Sequence, residues 1–394
     1  NSDYPTPIKD VNLNVLKSGK FNVSSLIASD EGKITSLINE ARLDDINGAK
    51  VVLVDGYYHS SMSNIDQQDG VTLTSLNGLF GADPEKAKAL FSQTNDLNSL
   101  KELNTAFMTD GYVLLVEANV KLAEPIQIIH LSTTASNDKA LRQRNFIQLE
   151  VGSTAQIIES FIGIDGVNCW SHNNTDVVIG QQASLEIYQF QNEGADTIHM
   201  AETIVDVAKG GDFKHYSLNI GAKLSRTEIK PTLKGEGGEI ELRGAFLGRG
   251  GNSHNVFTHM KHMEPECNSN QVYRGVLDKG GKSAFQGKVY VAKDAQLTNA
   301  DQSNKNLLLD RNAEANSKPE LMIYADDVKC SHGTTVGELD AEALFYLKSR
   351  GLDKMSAKAL LVEAFVAEVF EEINITSVKE KYLSLARQWL EIEG

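Results

Sequence analysis

The feature that most constrains the fold is a turn followed by a strand that keeps returning. The phrases are "VGSTAQII" from residue 151, "IGQQASLEI" from 179, "AKGGDFKHYSL" from 208, "LKGEGGEIEL" from 233 and "LDKGGKSAFQG" from 277. Their starts lie roughly 25 to 45 residues apart, and self-similarity at such intervals points to a solenoid or a propeller. Between them, from about 126 to 327, short alternating segments such as "IQIIHLS", "NFIQLEV", "SLEIYQFQ" and "EIELRGAFLG" follow one another, punctuated by Gly, Asn and Asp. Alternation of this kind specifies strands with one buried face. No WD or kelch signature is present, which leaves two architectures. In a parallel β-helix each coil stacks on the next and cannot bury its inner face alone. A β-sandwich or jelly roll fits the pattern equally well.

The flanks differ from this array. In residues 1–125, "ITSLINEARL" and "PEKAKALFSQ" read as amphipathic helices and "AKVVLVDGYYH" as a strand and turn. The array spans 126–337. Residues 338–394 switch to a helical period. "ELDAEALFYLKSRG" sets Leu339, Ala343, Leu344 and Leu347 on one face and stops at Gly351. Ser356 is placed to cap the next helix, where Leu361, Phe365 and Val369 recur at a four-residue spacing. Ser377 and Glu380 form a capping box for a last helix carrying Tyr382, Ala386 and Trp389. This helical end has apolar area to dock, either on the end of the solenoid or on another protein.

Composition limits the function classes. The 394 residues carry a formal net charge of -15, so a broad basic face for nucleic acid is not expected. The three cysteines, Cys169, Cys267 and Cys330, are odd in number and far apart. That argues against a disulfide framework and for a reducing compartment. No signal peptide is read at the start, and no run approaches the ~20 apolar residues of a membrane span. Membrane insertion is not expected, and the cytoplasm is the expected location.

Few residues carry recognisable chemistry. No GxxxxGK[ST] loop is present, so ATP hydrolysis is not expected of this chain. There is also no G-x-S-x-G elbow and no H-E-x-x-H helix. "HNVFTHMKHMEPEC" is rich in metal-ligating types, yet on a strand His259 and His262 point to opposite faces. Structural or surface histidines are the expectation there. Arg274, Asp278 and Lys288 are expected to be solvated or paired between coils.

"DDVKCSHG" is sharper. If "ELMIYADDVKC" is a strand, Val328, Cys330 and His332 share one face, with Cβ atoms about 6.5 Å apart at each step of two. Two ligands do not close a metal site, which takes about four. Its neighbours add only Asp326 and Asp327, so the missing ligands come from another cysteine, from a second chain, or from nowhere. In the last case Cys330 is a small packed hydrophobe beside a hydrogen-bonded His332.

The stretch "KPELMIYADDVKCSHGTTVGELDAEALFYLKSRG" (318–351) resembles the C-terminal signature of the SufD side of the SufB/SufD family, scaffold subunits of the bacterial SUF iron–sulfur cluster assembly system. Residues 266–309, "VVLVDGYYHSSMSN" and "LLVEAFVAEVF" carry the likeness along most of the chain. SufB-type chains have an acidic Glu-His-Glu type segment where this one has Cys330-Ser331-His332-Gly333. At the start, "NSDYP" departs from the family's pattern, which suggests that residues are missing there.

The resemblance implies a mainly β chain, a right-handed parallel β-helix core flanked by an N-terminal α/β region and a C-terminal helical region. It implies a non-catalytic scaffold that meets a SufB-like subunit through the last coils and receives a SufC-like ATPase on helices within 338–394. It also implies that His332, and secondarily Cys330, are metal- and cluster-binding residues, sharing a transient iron–sulfur cluster with the partner subunit. A homodimeric SufB/SufD-like scaffold is the alternative within the family. Outside it stands a β-helix polysaccharide lyase or hydrolase, which requires secretion and convergent carboxylates or Ca²⁺.

Overall fold

The computed structural model describes residues 16, 19–25, 30–65, 68–92 and 98–391; the irregular start "NSDYP" lies outside them. The N-terminal part holds β1 (Asn22–Val23), α1 (Glu31–Ala41), β2 (Lys50–Val54), β3 (Tyr57–Tyr58), β4 (Val71–Ser75), α2 (Leu76–Ala82), α3 (Pro84–Phe91), α4 (Ser99–Ala106) and β5 (Tyr112–Val116). The array follows as β6 (Ile126–Ser132), β7 (Lys139–Leu149), β8 (Thr154–Gly163), β9 (Cys169–Ile179), β10 (Ser184–Asn192), β11 (Ile198–Val207), β12 (Asp212–Asn219), β13 (Leu224–Leu233) and β14 (Glu239–Gly248). It continues as β15 (Ser253–His262), β16 (Asn268–Leu277), β17 (Lys282–Val291), β18 (Asn299–Leu308), β19 (Glu314–Ile323) and β20 (Lys329–Gly337). Helices α5 (Ala341–Ser349), α6 (Lys354–Ala367) and α7 (Thr376–Glu391) complete the described chain.

Successive strands of the array alternate between two sheets. Sheet A runs β19-β17-β15-β13-β11-β9-β7-β5-β4, and sheet B runs β20-β18-β16-β14-β12-β10-β8-β6-β2-β3. From β6 to β20 the pairings are parallel. A sandwich of antiparallel hairpins does not give this pattern. The molecule is therefore a parallel β-helix, and both sheets continue upstream of residue 126 through β2 on β6 and β5 on β7. In sheet B the register steps through Thr154, Ser184, Asp212, Glu239, Asn268, Asn299 and Lys329. A coil thus takes roughly 30 residues, within the range of solenoid repeats.

This register explains the uneven spacing of the sequence phrases. The phrases at 151, 179, 208 and 233 precede β8, β10, β12 and β14, the same A-to-B turn in successive coils. The phrase at 277 precedes β17, so it marks the opposite turn. The A-to-B turn before β16 is "MEPEC", without a glycine pair. Gly210 and Gly280 adopt φ +63° and φ +75°, conformations that favour glycine in these sharp corners.

The inside of the helix divides in two. Ends of sheet A strands and starts of sheet B strands bring together Val205, Val207, Leu185, Ile187, Phe213, Leu233 and Ile240 as an apolar core. The other half of the lumen is lined largely by buried Ser, Thr, Asn, Gln and His. Gly275 makes room there: a Cβ on it would lie 2.2 Å from Phe246 Cε2 and 2.3 Å from Asn306 Oδ1.

Helices cover both outer faces. On sheet B, α1 buries Ile34, Ile38 and Ala41, with Asp30 capping its first turn. On sheet A, α4 lowers Lys101 onto Asp176, Nζ to Oδ1 2.8 Å, and Asn104 donates to the carbonyls of Gln143 and His172. At the C-terminal end, Val362, Val366, Val369, Phe370, Tyr382 and Trp389 join Tyr188, Phe190, Tyr216, Ala245 and Val276 in one apolar layer. The tail thus docks on the side of the solenoid rather than on its end.

Three details of this tail differ from the sequence reading. Asp353, not Ser356, caps α6, accepting from the amides of Met355 and Ser356. The buried face of α6 is rotated by one position, to Ala357, Val362 and Val366. Helix α7 starts at Thr376, so Ser377 lies inside the first turn and makes no capping box. Tyr382, Ala386 and Trp389 are buried as expected. Helix α5 has no fully buried residue; Phe345 is 73% exposed and Tyr346 56%.

Candidate functional site

The last coil is built differently from those beneath it. Among the described residues, strands β19 and β20 are each bonded on one side only, so they end their sheets as open edges. "ELMIYADDVKC" is not one strand: β19 stops at Ile323, a turn follows, and β20 starts at Lys329 in the opposite sheet. Cys330 and His332 therefore both lie on β20. Cys330 pairs in register with Ala300 and His332 with Gln302, both buried on β18. Val328 and Cys330 pack against the apolar core, which confirms that their face is the inward one. The alternation of a strand then sets His332 on that face too.

With no coil above it among the described residues, this inward face is open. His332 is exposed and Cys330 half-buried. Burial pushes the Cys330 thiol above its usual range; the backbone at Ala300 opposes this and the Asp301 charge adds to it. On the outward face Ser331 donates to Asp301, Oγ to Oδ1 2.5 Å, fixing the strand's register. Exposed Ile323, Tyr324 and Val336 give the open end apolar surface.

The remaining candidates lie elsewhere. Cys267 is fully buried at the start of β16, two coils beneath, with Sγ 3.3 Å from the Gly235 carbonyl. Cys169 is buried on β9, its thiol pushed up to about 11 by burial and then by the Glu193 charge. Asp326 and Asp327 are exposed in the turn before β20. Among the described residues no three His, Cys, Asp or Glu side chains converge as a metal site. His254, His259 and His262 are buried along β15, as structural histidines. Burial holds His254 and His262 near 4, hence neutral at pH 7. Arg274 forms its ion pair with Glu368 of the tail, and its Nη1 also donates to Ser303 Oγ of the neighbouring coil at 3.4 Å.

Sequence reasoning missed a polar groove of about 520 Å³ on the outside of sheet B, lined by Lys214, Glu241, Arg243, Asn270, Asp301 and Glu372. Its signal is the outward-facing polar residues of β12, β14, β16 and β18, visible only once the coil register is known. Arg243 already binds Glu241 and Lys214 lies 3.4 Å from Glu186, so the groove is largely satisfied internally.

Comparison with known proteins bears on the whole chain. Residues 131–365 match the domain described as "SUF system FeS cluster assembly, SufBD core domain", and residues 38–128 match the "SufBD protein N-terminal region". The chain is 31% identical to an iron–sulfur cluster assembly SufBD family protein of Synechocystis, over 86% of this chain and 77% of that protein. It is 25% identical to the iron–sulfur cluster assembly protein SufD of Escherichia coli, over 93% and 85%. To SufD of Bacillus subtilis it is 27% identical, over 97% and 90%.

Proposed function

The chain belongs to the SufBD family of iron–sulfur cluster assembly proteins, and on that premise we propose that it is a non-catalytic scaffold subunit sharing a nascent-cluster site with a SufB-like partner. One observation carries the reading: the inward face of β20 presents Cys330 and His332 at an open coil, with no third ligand among the described residues. Half a donor set on an unpaired strand edge fits a site completed by a second chain.

In this reading the cluster is cargo. His332 is the principal residue, since a neutral imidazole is a competent ligand for iron. Cys330 is secondary, its raised thiol pKa making it a poorer thiolate at neutral pH. The partner adds its last coil to β19 and β20, supplying hydrogen-bond partners to strand edges that otherwise invite aggregation. A SufC-like ATPase docks on the helices of 338–394, where α5 presents Phe345 and Tyr346. This chain has no phosphate loop, so ATP is hydrolysed by that partner. The proposed location is the cytoplasm; among the described residues no helix is long and apolar enough to cross a membrane.

Native mass spectrometry of the chain co-expressed with SufB-like and SufC-like subunits tests the assembly. The expected species contains one copy of this chain, one SufB-like chain and the ATPase. A complex with two copies of this chain and no SufB-like chain would replace this reading with the homodimeric scaffold.

A further inference from the structure

Beneath His332 the inward face of sheet B carries a short column of side-chain amides. Gln271 on β16, Gln302 on β18 and His332 on β20 are successive register partners. Paired strands lie about 4.8 Å apart, so the side chains of such a column follow one above the next. Gln271 and Gln302 are both buried, and Thr258 Oγ1 donates to Gln271 Oε1 at 2.7 Å. Thr258 thus orients the lower amide.

Gln302 has a built place but no partner. Its amide reaches across the lumen to the backbone of β17, where Gly287 makes room: a Cβ there would lie 2.0 Å from Gln302 Nε2 and 2.9 Å from Oε1. The register partner of Gly287 in the last coil is Pro319, which has no N–H to offer. Oε1 and Nε2 of Gln302 are both buried without a hydrogen-bond partner, a costly and uncommon state. On the open side, the next side chain of the column is His332, exposed on β20. An exposed side chain changes rotamer quickly, and no coil above β20 among the described residues holds the ring away from the lumen.

We propose that Gln302 is the positioning residue of His332: when a partner covers the last coil, the ring turns inward and donates its Nδ1–H to Gln302 Oε1, leaving the Nε2 lone pair for iron. Nδ1 is the ring nitrogen nearer the strand, and Nε2 is the one at the tip. A hydrogen bond at one ring nitrogen decides which nitrogen is free to bind a metal. An amide oxygen has two lone pairs, so Oε1 can serve His332 and still accept from Gln271 beneath. The inference rests on the cluster-site reading and adds to it how the imidazole is held to one tautomer.

The test uses the full chain, ¹⁵N-labelled at histidine, assembled with unlabelled SufB-like and SufC-like subunits and kept free of metal. Magic-angle-spinning NMR of the sedimented complex at pH 8 reads the tautomer of each neutral imidazole from its ¹⁵N shifts, and His332→Ala identifies the signal of His332. The expected tautomer is Nδ1–H. Gln302→Leu, close in volume, is expected to move His332 to a mixture or to Nε2–H and to leave Tm unchanged or higher. It is also expected to lower iron–sulfur cluster assembly in cells about tenfold, as loss of the outer partner of a metal ligand does. Gln302→Glu keeps an acceptor oxygen at the same reach and is expected to keep the Nδ1–H tautomer. Added to His332→Ala, Gln302→Leu is expected to cause no further loss of assembly. An unchanged tautomer in Gln302→Leu would overturn the proposal. So would loss of Nδ1–H in Gln302→Glu, or a further loss of assembly in the His332→Ala background. The cluster-site reading fails by a separate result, full assembly with His332→Ala.

Discussion

Arg274 and Glu368 form a forked ion pair, with Nη2 to Oε1 at 2.6 Å and Nε to Oε2 at 3.2 Å. The arginine is buried on β16 and the carboxylate sits in the 3₁₀ turn (Glu368–Phe370) after α6, with Phe365 stacked near the guanidinium. This pair ties the helical tail to a coil just beneath the open end. The apolar layer around Phe370 and Tyr382 supplies the bulk of the docking, and the pair fixes its position along the axis.

Replacing Glu368 with Gln leaves a buried guanidinium facing a neutral group. The expected loss at pH 7 is about 1–2 kcal/mol, read from urea unfolding. The Arg274 hydrogen bond holds the Glu368 carboxyl below its usual range, and this outweighs partial burial. A depressed carboxylate pKa stabilises above the unfolded value and loses that stabilisation as pH falls through the folded value. The gap between the two proteins is therefore full above about pH 5 and closes at lower pH. A gap independent of pH would mean that packing, not charge, was lost.

His332→Ala separates site from scaffold. The residue is exposed on an edge strand, so the monomer's Tm is expected to stay within about 1 °C. Iron–sulfur cluster assembly in cells that depend on this chain is expected to fall, with the complex still formed. Cys330→Ala is expected to have the weaker effect on assembly. Full activity of His332→Ala would remove the residue from the site.

The sequence made some of this legible and hid the rest for physical reasons. Segments such as "IQIIHLS" and "SLEIYQFQ" were readable as strands because Ile126 and Ile128 flank Gln127, and Leu185 and Ile187 alternate with Ser184 and Glu186. Strands β9, β11 and β13 escaped because their inward faces carry Ser171, Asn173, His199, Ser225 and Thr227, so apolar alternation fails where the lumen is polar. The pairing of Cys330 and His332 on one face was visible from their spacing alone. Their position on an open last coil was not, since it depends on where stacking stops. The capping of α6 turned on Asp353 and Ser356 lying three apart, either of which is a competent cap by type.

The exposed face of α5 makes the partner claim testable without unfolding the tail. Deleting 352–394 would strip Val362, Val366, Phe370 and Tyr382 from the outer layer of sheet B and so destabilise the chain itself. Phe345→Asp instead changes a side chain that is 73% exposed. Its Tm is expected to match the unmodified chain within about 1 °C, while co-purification of the SufC-like ATPase is lost or strongly reduced, as for an aromatic anchor at an interface. Retained binding would move the contact away from α5.

Acid stability follows from the buried histidines. Burial pushes His215, His254 and His262 down to about 4 and His172 to about 3, so all four fold neutral. In the unfolded chain they titrate near 6.5. Below that value the unfolded state takes up protons that the folded state refuses, so stability falls as pH drops from about 6.5 toward 4. A displacement of this size amounts to about 3 kcal/mol per histidine once the lower value is reached. His262→Gln tests one share of it. The residue's Nε2 lies 2.8 Å from Ser269 Oγ, a contact an amide can keep. At pH 7 the variant is expected to be less stable by about 1 kcal/mol, the worth of an imperfectly replaced buried contact. At pH 5 it loses less than the unmodified chain, so the deficit shrinks or reverses. Urea midpoints measured across this range decide the matter. Parallel pH curves for the two proteins would show that His262 does not enter the unfolding equilibrium as a neutral buried group.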